Sequence, residues 1–243
     1  MKKTGNHLLD ALEAGCMQRL ECELEPVNGN LKQVICEAGS NLDHAYFPQG
    51  AVLSLLTLME DGTTIETANI GREGAFGIFS AMYSRVSFNR CIVQLEGPML
   101  RCPCGAIENE FERSSRTRHL FVSYSETLLS QIQQTVGCNA LHTVGERMCR
   151  WLLMMDDRAE GQPMPYTQEF LAEMMAVNRT SISLAAQAMQ DKGIIDYSRG
   201  KIKILDRPAL EEASCECYQV VKTRFDAFFK SASGGANGSA AES

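Results

Sequence analysis

The chain has 243 residues, of which 44% are hydrophobic and 22% are charged. This composition is typical of a globular protein with a buried core and excludes a largely disordered chain, and the length predicts one large domain or, as we assume, two modest ones. The formal net charge of -7 argues against a surface that coats nucleic acid or membrane throughout, so a nucleic-acid site would have to be local.

The longest apolar runs, such as AVLSLLTLM at residues 51–59, are shorter than the roughly 20 residues that cross a bilayer. The N-terminal segment MKKTGNHLLDALEAG acquires Asp10 and Glu13 before an apolar core forms, so it does not resemble a signal peptide. We therefore predict no membrane-spanning helix, no membrane partner and a cytoplasmic location.

The first hundred residues predict short elements. Residues 7–24 carry apolar side chains at helical spacing, interrupted by Gly15, which predicts one or two short helices. Residues 31–104 alternate between glycines and runs of β-branched and aromatic residues, which is typical of an antiparallel sandwich or jelly roll. The pair Asp61-Gly62 is the clearest hairpin signal, because it tolerates the positive φ angles of a tight turn.

After Pro103 glycine becomes rare and the pattern turns helical. Along one long predicted helix, a sparse and partly polar stripe recurs at three- and four-residue spacing. It consists of Phe121, Ser125, Leu128, Ile132, Thr135 and Asn139, and Tyr124 and Val136 flank it. This stripe fits a surface shared between two subunits, and a helix lying over the sandwich would show the same pattern. We weight the dimer above the monomer, because paired long helices often build two-fold symmetry. Residues 143–161 predict a further helix with Trp151 in the core.

Residues 167–193, TQEFLAEMMAVNRTSISLAAQAMQDKG, predict two short helices. Thr167 is an N-cap for the first, the chain breaks at Ala176, and Asn178 caps a second helix that Gly193 ends. The inner face of the second helix holds Ile182, Ala185, Ala186 and Met189, and its outer face holds Arg179, Thr180, Ser183, Leu184 and Gln187.

Two helices joined by a tight turn leave the outer face of the second free to enter a DNA major groove. Arg179 can pair with a guanine edge, Gln187 with adenine, and Leu184 with a thymine methyl group, while the hydroxyl side chains reach bases or phosphates. A helical hairpin inside a larger α domain would give the same pattern, so both interpretations stay open at this point.

The next stretch favours DNA. Residues 193–206, GIIDYSRGKIKILD, alternate apolar and polar residues around a basic tip, which predicts a β-hairpin. Between residues 179 and 207 six basic side chains stand against three acidic ones, in a chain that is acidic overall. This local excess of positive charge is typical of phosphate binding.

The order of sandwich, long helix, helix pair and basic hairpin resembles the Crp/Fnr family of bacterial transcription regulators, over about residues 30–218. The block NIGREGAFGIF at residues 69–79 is similar to the glycine-rich phosphate cassette of the family's cyclic-nucleotide-binding domain. The resemblance implies an α+β fold with an N-terminal antiparallel β jelly roll, a long connecting dimerisation helix and a C-terminal winged helix-turn-helix. It divides the chain into a sensory domain at 1–117, a dimerisation helix at 118–140, a DNA-binding domain at 141–230 and a disordered tail at 231–243.

The resemblance also implies a homodimer that binds two-fold symmetric promoter sites in double-stranded DNA and contacts or blocks RNA polymerase. Arg179 matches the family's base-reading arginine, Thr167 and Gln168 match backbone contacts, and Arg199 and Lys201 lie on the wing. Thr180 and Leu184 depart from the Glu and Arg of the best-known members, and Ala176 replaces a turn glycine. The predicted DNA-binding residues are Thr167, Gln168, Arg179, Thr180, Ser183, Leu184, Gln187, Arg199 and Lys201.

The predicted sensor departs further from the members that bind cyclic AMP. Ile78 and Phe79 stand where those members have a ribose-binding Glu, and Asn89-Arg90-Cys91 replaces the phosphate signature. We therefore do not predict cyclic AMP binding. The candidate ligand-binding residues are Gly74, Phe76, Gly77, Arg85 and Arg90. The two arginines could approach an anion, or could stabilise the surface of the fold, which is the commoner role of arginine.

The ten cysteines indicate buried thiols, with a redox-sensing role as the less frequent alternative. The close pairs CPC and CEC have poor spacing for a zinc site, and the cysteines lack the clustered N-terminal spacing of the family's iron-sulfur members. Cys215 falls on a helix predicted at 208–229, where it could be exposed enough to oxidise. We predict no metal, no cofactor and no iron-sulfur cluster.

Two other classes of function compete. A cupin-like enzyme would need several histidines in the strand region, where only His44 lies, and neither a nucleophile elbow nor a Walker loop occurs, so we predict no catalytic residue. The remaining alternative is a small-ligand or protein-interaction module in which the helical hairpin is structural and DNA is not bound.

Overall fold

The structure is a computed structural model that describes residues 3–159, 161 and 163–234. It begins with two short helices, α1 (His7–Asp10) and α2 (Ala14–Leu20), as predicted for this segment. Asn6 caps α1, and its side-chain nitrogen Nδ2 donates to the carbonyls of Pro48 and Gly74, at 2.8 Å each. These buried hydrogen bonds attach the N-terminal segment to the sheets that follow.

Two antiparallel sheets form the N-terminal half, which confirms the predicted β jelly roll. The first sheet has the order β1-β7-β3 and the second the order β2-β6-β4-β5. The strands are β1 (Glu25–Gly29), β2 (Val34–Cys36), β3 (His44–Pro48), β4 (Val52–Leu58), β5 (Thr64–Ile70), β6 (Arg90–Leu95) and β7 (Gly97–Pro103). A short helix, α3 (Ile78–Ala81), lies between β5 and β6.

The predicted hairpin at Asp61-Gly62 joins β4 to β5. Gly62 has a φ of 85°, in the region that glycine adopts without strain, and the Asp61 carboxylate accepts a hydrogen bond of 2.8 Å from the Thr63 amide. The prediction of a tight turn here is confirmed.

Two helices follow the last strand of the sandwich and pack on it: α4 (Cys104–Arg113) and the long α5 (Ser115–Leu141). Phe121 and Tyr124 of α5 are almost completely buried in the jelly-roll core, and Leu128 and Ile132 pack against it. Of the predicted α5 stripe, Phe121 faces inward over the sandwich, while Ser125, Leu128, Ile132, Thr135 and Asn139 are partly exposed. The stripe therefore packs in part on its own sandwich, and its role as a subunit surface stays a prediction. An apolar residue buried within its own chain and one buried between chains give the same sequence pattern.

The C-terminal half is mainly helical and contains one small sheet, β8-β9. Its elements are α6 (Val144–Ala159), α7 (Gln168–Met175), α8 (Arg179–Asp191), β8 (Ile195–Ser198), β9 (Lys201–Ile204), α9 (Arg207–Glu212) and α10 (Cys217–Gly234). A second core holds these elements together and includes Trp151, as predicted, and Tyr166. Val52, Leu56 and Ile92 of the four-stranded sheet join this second core, so the two halves of the described chain pack together.

The helix predicted at 208–229 is wrong as a single element. α9 ends at Glu212, the chain turns through Ser214–Glu216, and α10 begins at Cys217. The Ser214 hydroxyl donates to the Glu211 carbonyl at 3.0 Å and so satisfies a carbonyl at the end of α9. Helix α10 continues to Gly234, and the rest of the predicted tail, residues 235–243, lies outside the described residues.

Nine of the ten cysteines are buried and Cys22 is exposed, which confirms the expectation of buried thiols. Cys215 is only 5% exposed, so the expectation that it is accessible was wrong. It lies in the turn between α9 and α10 rather than on a helix face.

Within the described residues, no helix combines the length and the apolar character that crossing a membrane requires.

Candidate nucleic-acid interface

The helix pair α7–α8 has the capping geometry that its sequence predicts. The Thr167 hydroxyl accepts from the Phe170 amide at 3.2 Å, and the Asn178 side chain accepts from the Ser181 amide at 2.8 Å. Ala176 ends α7 in the left-handed region, with φ 49° and ψ 51°. A non-glycine residue in this region carries a strain of about 1–2 kcal/mol, which the surrounding turn must hold.

A partly buried arginine supports that turn. Arg147 of α6 donates a hydrogen bond of 2.6 Å from its Nη2 to the carbonyl of Met175, the last residue of α7. The Val177 amide donates to the Ala172 carbonyl at 3.0 Å. These bonds satisfy carbonyls at the end of α7 and fix the direction in which α8 starts.

Helix α8 has a buried face and an outward face, as its sequence predicts. Ile182, Ala186 and Met189 are at most 5% exposed, and Ala185 is partly buried against the same core. The outward side chains are exposed at Arg179, Thr180, Leu184 and Gln187 and partly exposed at Ser183. The buried inner row fixes the position of α8 on the domain, and the outward row stays accessible to a binding partner.

Side chains on the outward row are held by neighbouring polar groups. The Arg179 guanidinium lies 2.8 Å from the Glu169 carboxylate of α7, and both side chains are mostly exposed. The Ser183 hydroxyl donates to the Gln168 side chain at 2.6 Å, and Gln187 donates to the Asp191 carboxylate at 2.7 Å. The pair Arg179–Glu169 is weakly held, because exposed ion pairs contribute about 0–1 kcal/mol.

Strands β8 and β9 form the predicted basic hairpin. Arg199 and Gly200 occupy its turn with φ angles of 51° and 72°, so both residues are in the left-handed region that a two-residue hairpin turn requires. Arg199 and Lys201 are exposed. The turn lies next to the start of α7, because a Cβ built on Gly200 would be 3.5 Å from Thr167 Cγ2.

A polar cleft of about 310 Å³ lies where the hairpin meets the two helices. It is lined by Thr167, Gln168, Glu169, Arg179, Gln190, Tyr197, Arg199 and Gly200. The cleft brings together four of the predicted DNA-binding residues: Thr167, Gln168, Arg179 and Arg199. Thr180, Ser183, Leu184, Gln187 and Lys201 lie outside its lining.

One of the six basic residues counted from the sequence lies in an ion-pair network within the domain. The Arg207 guanidinium pairs with Asp156 and Asp157 of α6 and with Glu211 of α9. It also donates to the Tyr218 hydroxyl at 2.7 Å. Arg207 therefore holds α9 on α6, and a count of charges could not separate this role from phosphate binding.

A row of exposed residues runs along α5, on a different face from the predicted stripe. Val122, Leu129 and Val136 are 40%, 53% and 64% exposed and follow one another at seven-residue intervals. Glu126 and Gln133 lie between them and Ala140 follows, at alternate four- and three-residue spacing, and all three are also exposed. We call this row the α5 seam. A seven-residue apolar repeat is the pattern through which two helices pack in a coiled coil.

The glycine-rich block at residues 69–79 is attached to α5 by a buried tyrosine. The Tyr124 hydroxyl accepts from the Ala75 amide at 2.9 Å and donates to the Ala75 carbonyl at 3.0 Å. A Cβ on Gly74 would lie 2.3 Å from that hydroxyl, so only glycine fits at this position. The block and the long helix are therefore one packed unit.

A cavity of about 400 Å³ lies between this block and α5, and Phe76, Gly77, Phe88, Leu128 and Ile132 are among its lining residues. Of the other candidate ligand-binding residues, Arg85 pairs with Glu108 and Arg90 lies 3.2 Å from Glu37. These pairs favour the fold-stabilising interpretation of both arginines. No Lys or Arg is among the described residues that line the cavity, and the absence of cyclic AMP binding stays a prediction.

Sequence reasoning missed the junction between the two halves of the molecule. Trp151 of α6 donates from its indole nitrogen to the buried Glu66 carboxylate of β5 at 2.9 Å, and the Glu73 carboxylate pairs with Arg158. The desolvation of Glu66 raises the pKa of its carboxyl group, although four hydrogen-bond donors oppose this effect. The signal in the sequence was a single acidic residue inside the apolar strand pattern of residues 64–70.

This architecture defines a class of protein: a jelly roll joined through a long helix to a helix-turn-helix domain with a basic hairpin. Residues 146–213 match the family model of the Crp-like helix-turn-helix domain. The chain has the fold of Crp/Fnr transcription regulators, which confirms the predicted resemblance and fold class. No curated protein sequence matches the chain.

Three solved structures illustrate the likeness. A protein from Eubacterium rectale assigned to the crp/fnr family of transcriptional regulators has 16% identity and a TM-score of 0.68, with 87% of this chain and 99% of that chain covered. FixK2 from Bradyrhizobium japonicum has 15% identity and a TM-score of 0.67, with coverage of 79% and 98%. A CRP/FNR-family transcriptional regulator from Thermus thermophilus has 18% identity and a TM-score of 0.65, with coverage of 78% and 98%.

Proposed function

We propose that this protein is a sequence-specific DNA-binding transcription regulator of the Crp/Fnr type, which acts as a homodimer on two-fold symmetric sites. The observation that carries the proposal is the outward row of α8, exposed beside a basic hairpin and fixed by a buried inner row within a Crp-like helix-turn-helix domain. In this arrangement α8 enters the major groove and the hairpin lies on the backbone.

Arg179 supplies the principal base contact, because a guanidinium can donate two hydrogen bonds to guanine. Thr180, Ser183, Leu184 and Gln187 line the same exposed or partly exposed side of the helix and contact neighbouring bases or phosphates. On DNA, Arg179 exchanges its exposed partner Glu169 for a base edge. This exchange costs little, since the pair is in water.

Phosphate contacts come from the cleft between the hairpin and the helices. Arg199 at the hairpin turn and Lys201 on β9 provide positive charge, while Thr167 and Gln168 at the start of α7 provide polar groups. The backbone amides at the N-terminal end of a helix also attract phosphate oxygens. These contacts set the register of α8 on the duplex without reading the sequence.

The α5 seam is the dimer interface in this proposal. Its seven-residue repeat of Val122, Leu129 and Val136 is left exposed by the rest of the chain and matches the requirement of a two-stranded coiled coil. Pairing α5 with its copy places two α8 helices in a two-fold arrangement. Residues 1–117 then form the sensory domain, 118–140 the dimerisation helix and 141–230 the DNA-binding domain.

A regulator of this kind acts in the cytoplasm and contacts RNA polymerase or blocks its access. We assign it no enzymatic role. The cavity beside α5 would take a mainly apolar effector rather than a cyclic nucleotide, since no cationic side chain among its described lining residues faces a phosphate.

Fluorescence anisotropy with labelled genomic DNA fragments tests this function at low and moderate salt. We expect binding that weakens steeply with salt, with a slope of about -0.9 per phosphate neutralised. Arg179→Ala should remove the preference for a selected site, whereas Arg101→Ala, at an exposed arginine of the jelly roll, should not. Absence of binding at low salt, with or without cell extract as a source of ligand, would favour the ligand-binding or protein-interaction module instead.

A further inference from the structure

Four metal-ligating side chains converge where the C-terminal end of α5 meets the turn between α9 and α10. They are Cys138, His142, Cys215 and Cys217, whose ligand atoms all lie within 4.8 Å of one another. The three thiols are at most 5% exposed, and the imidazole is 17% exposed. We propose that these residues form a structural zinc site that binds one Zn²⁺ through three thiolates and Nδ1 of His142.

The distances fit a single tetrahedral ion. Zinc binds sulfur at about 2.3 Å and imidazole nitrogen at about 2.0–2.1 Å, so adjacent donor atoms in a tetrahedral site are about 3.5–3.8 Å apart. The Sγ atoms of Cys138 and Cys215 are 3.5 Å apart, and Cys217 Sγ is 3.6 Å from His142 Nδ1. A cluster of several irons and sulfides needs more room between its ligands. Thiolate and imidazole donors also suit zinc in preference to calcium or magnesium.

The local structure explains why these residues meet. Cys138 and His142 are four residues apart at the end of α5, so they lie on the same side of the helix. His142 leaves the helix as its C-cap, and its amide donates to the Cys138 carbonyl at 3.1 Å. Cys215 and Cys217 lie on either side of Glu216, where the break between α9 and α10 turns both thiols inward.

Partners of the ligands support the same assignment. Nε2 of His142 lies 3.2 Å from the Glu216 carboxylate, which places the ring proton on Nε2 and leaves Nδ1 free to bind a metal. The Gln134 amide donates to Cys217 Sγ at 3.0 Å, a contact that favours the thiolate. A carboxylate that orients a metal-bound histidine is a usual feature of zinc sites.

The charge of the site is also balanced. Three thiolates and one Zn²⁺ carry a net charge of one minus, which a buried site must offset. The buried Arg150 of α6 contacts Cys138 and is held by a hydrogen bond of 2.9 Å to the Thr135 hydroxyl. The ion would therefore tie α5 to the start of α10 beside a cation on α6, and so connect the long helix to the C-terminal domain.

The metal content of the full chain tests the proposal. The chain is purified without air and without chelator, and zinc, iron and sulfide are measured. We expect about one zinc per chain and neither iron nor sulfide in stoichiometric amount. Replacement of zinc by Co²⁺ should give a thiolate-to-cobalt charge-transfer band and tetrahedral d–d bands. Zinc X-ray absorption should report three sulfurs at about 2.3 Å and one nitrogen at about 2.0 Å.

Variants assign the ligands. Cys215→Ser and His142→Ala should each lower the bound zinc to well below one per chain, while Cys149→Ser, at a buried cysteine of α6 outside the cluster, should retain it. Far-ultraviolet circular dichroism checks that the variants are folded. The cobalt spectrum of the unmodified chain tests the site independently, because it does not require any variant to fold. Zinc that persists in the first two variants would overturn the proposal. So would an unmodified chain that contains no zinc after this purification, whether it holds a Cys138–Cys215 disulfide or an iron-sulfur cluster.

Discussion

The indole of Trp151 and the carboxylate of Glu66 are joined by a buried hydrogen bond of 2.9 Å that links α6 to the four-stranded sheet. Glu66 also accepts from Ser54 and Gln94 at 2.6 Å and from Asn69 at 3.3 Å. A carboxylate with four donors is thus placed where the jelly roll packs against the C-terminal half. This network adds a polar connection to the apolar packing of Val52, Leu56 and Ile92 that joins the two halves.

Trp151→Phe tests the contribution of the indole N–H. The substitution keeps an aromatic ring in the core and removes one donor from Glu66, so we expect a loss of about 1–3 kcal/mol in the free energy of unfolding. Denaturant unfolding followed by circular dichroism measures the loss. A change below a few tenths of a kcal/mol would contradict the role of this bond.

The stability of the chain should depend on pH through Glu66. Burial raises the pKa of its carboxyl group above the ordinary value of 4.5, so the folded chain binds this proton more tightly than the unfolded chain. The stability that the proton contributes is present below 4.5 and is lost as the pH rises through the folded pKa. Glu66→Gln lacks this titration. The melting temperature of the unmodified chain should therefore fall relative to that of Glu66→Gln as the pH rises, and parallel curves would contradict the assignment.

Glu169 should weaken DNA binding by holding Arg179. The exposed pair is separated by 2.8 Å, and the carboxylate also repels phosphate. Glu169→Gln should therefore tighten binding to unselected DNA by about two- to fivefold, in keeping with the roughly 0–1 kcal/mol of an exposed pair. Anisotropy measures the change, with Glu112→Gln on α4 as the matched control. Equal affinities for Glu169→Gln and the control would show that the pair does not restrain Arg179.

The α5 seam should decide the oligomeric state. Leu129 is the central apolar residue of the seam and is 53% exposed in the single chain. Leu129→Glu should place two carboxylates together in a desolvated interface, which raises the dimer dissociation constant by at least about tenfold. Sedimentation velocity over a range of protein concentrations measures this dissociation constant. Leu58→Glu, at a similarly exposed leucine of the jelly roll, should leave the dimer intact. If the unmodified chain is already monomeric, the α5 seam is not a dimer interface.

Sequence patterns predict the parts of this fold that depend on residues close together in the chain. Thr167, Asn178 and Gly193 mark the limits of two helices because caps act within one helical turn. The Asp61-Gly62 turn is predictable for the same reason.

Contacts between distant residues were not predictable. Cys138 and Cys215 are 77 residues apart and meet only because α10 folds back onto α5. The spacing of CEC alone therefore did not indicate a metal. Likewise, the pattern of α5 shows two partly apolar faces, and only packing decides that Phe121 faces the core while Leu129 stays exposed.

The central claim is that two copies of α8 read a two-fold symmetric DNA site, and selection of bound duplexes from a random pool tests it most directly. We predict enrichment of two inverted half-sites whose centres are about 10–10.5 base pairs, or a multiple of that spacing, apart. The Arg179→Ala chain, folded by circular dichroism, should enrich no such sequence. Failure of the unmodified chain to enrich any sequence, or enrichment of a single asymmetric site, would contradict the account.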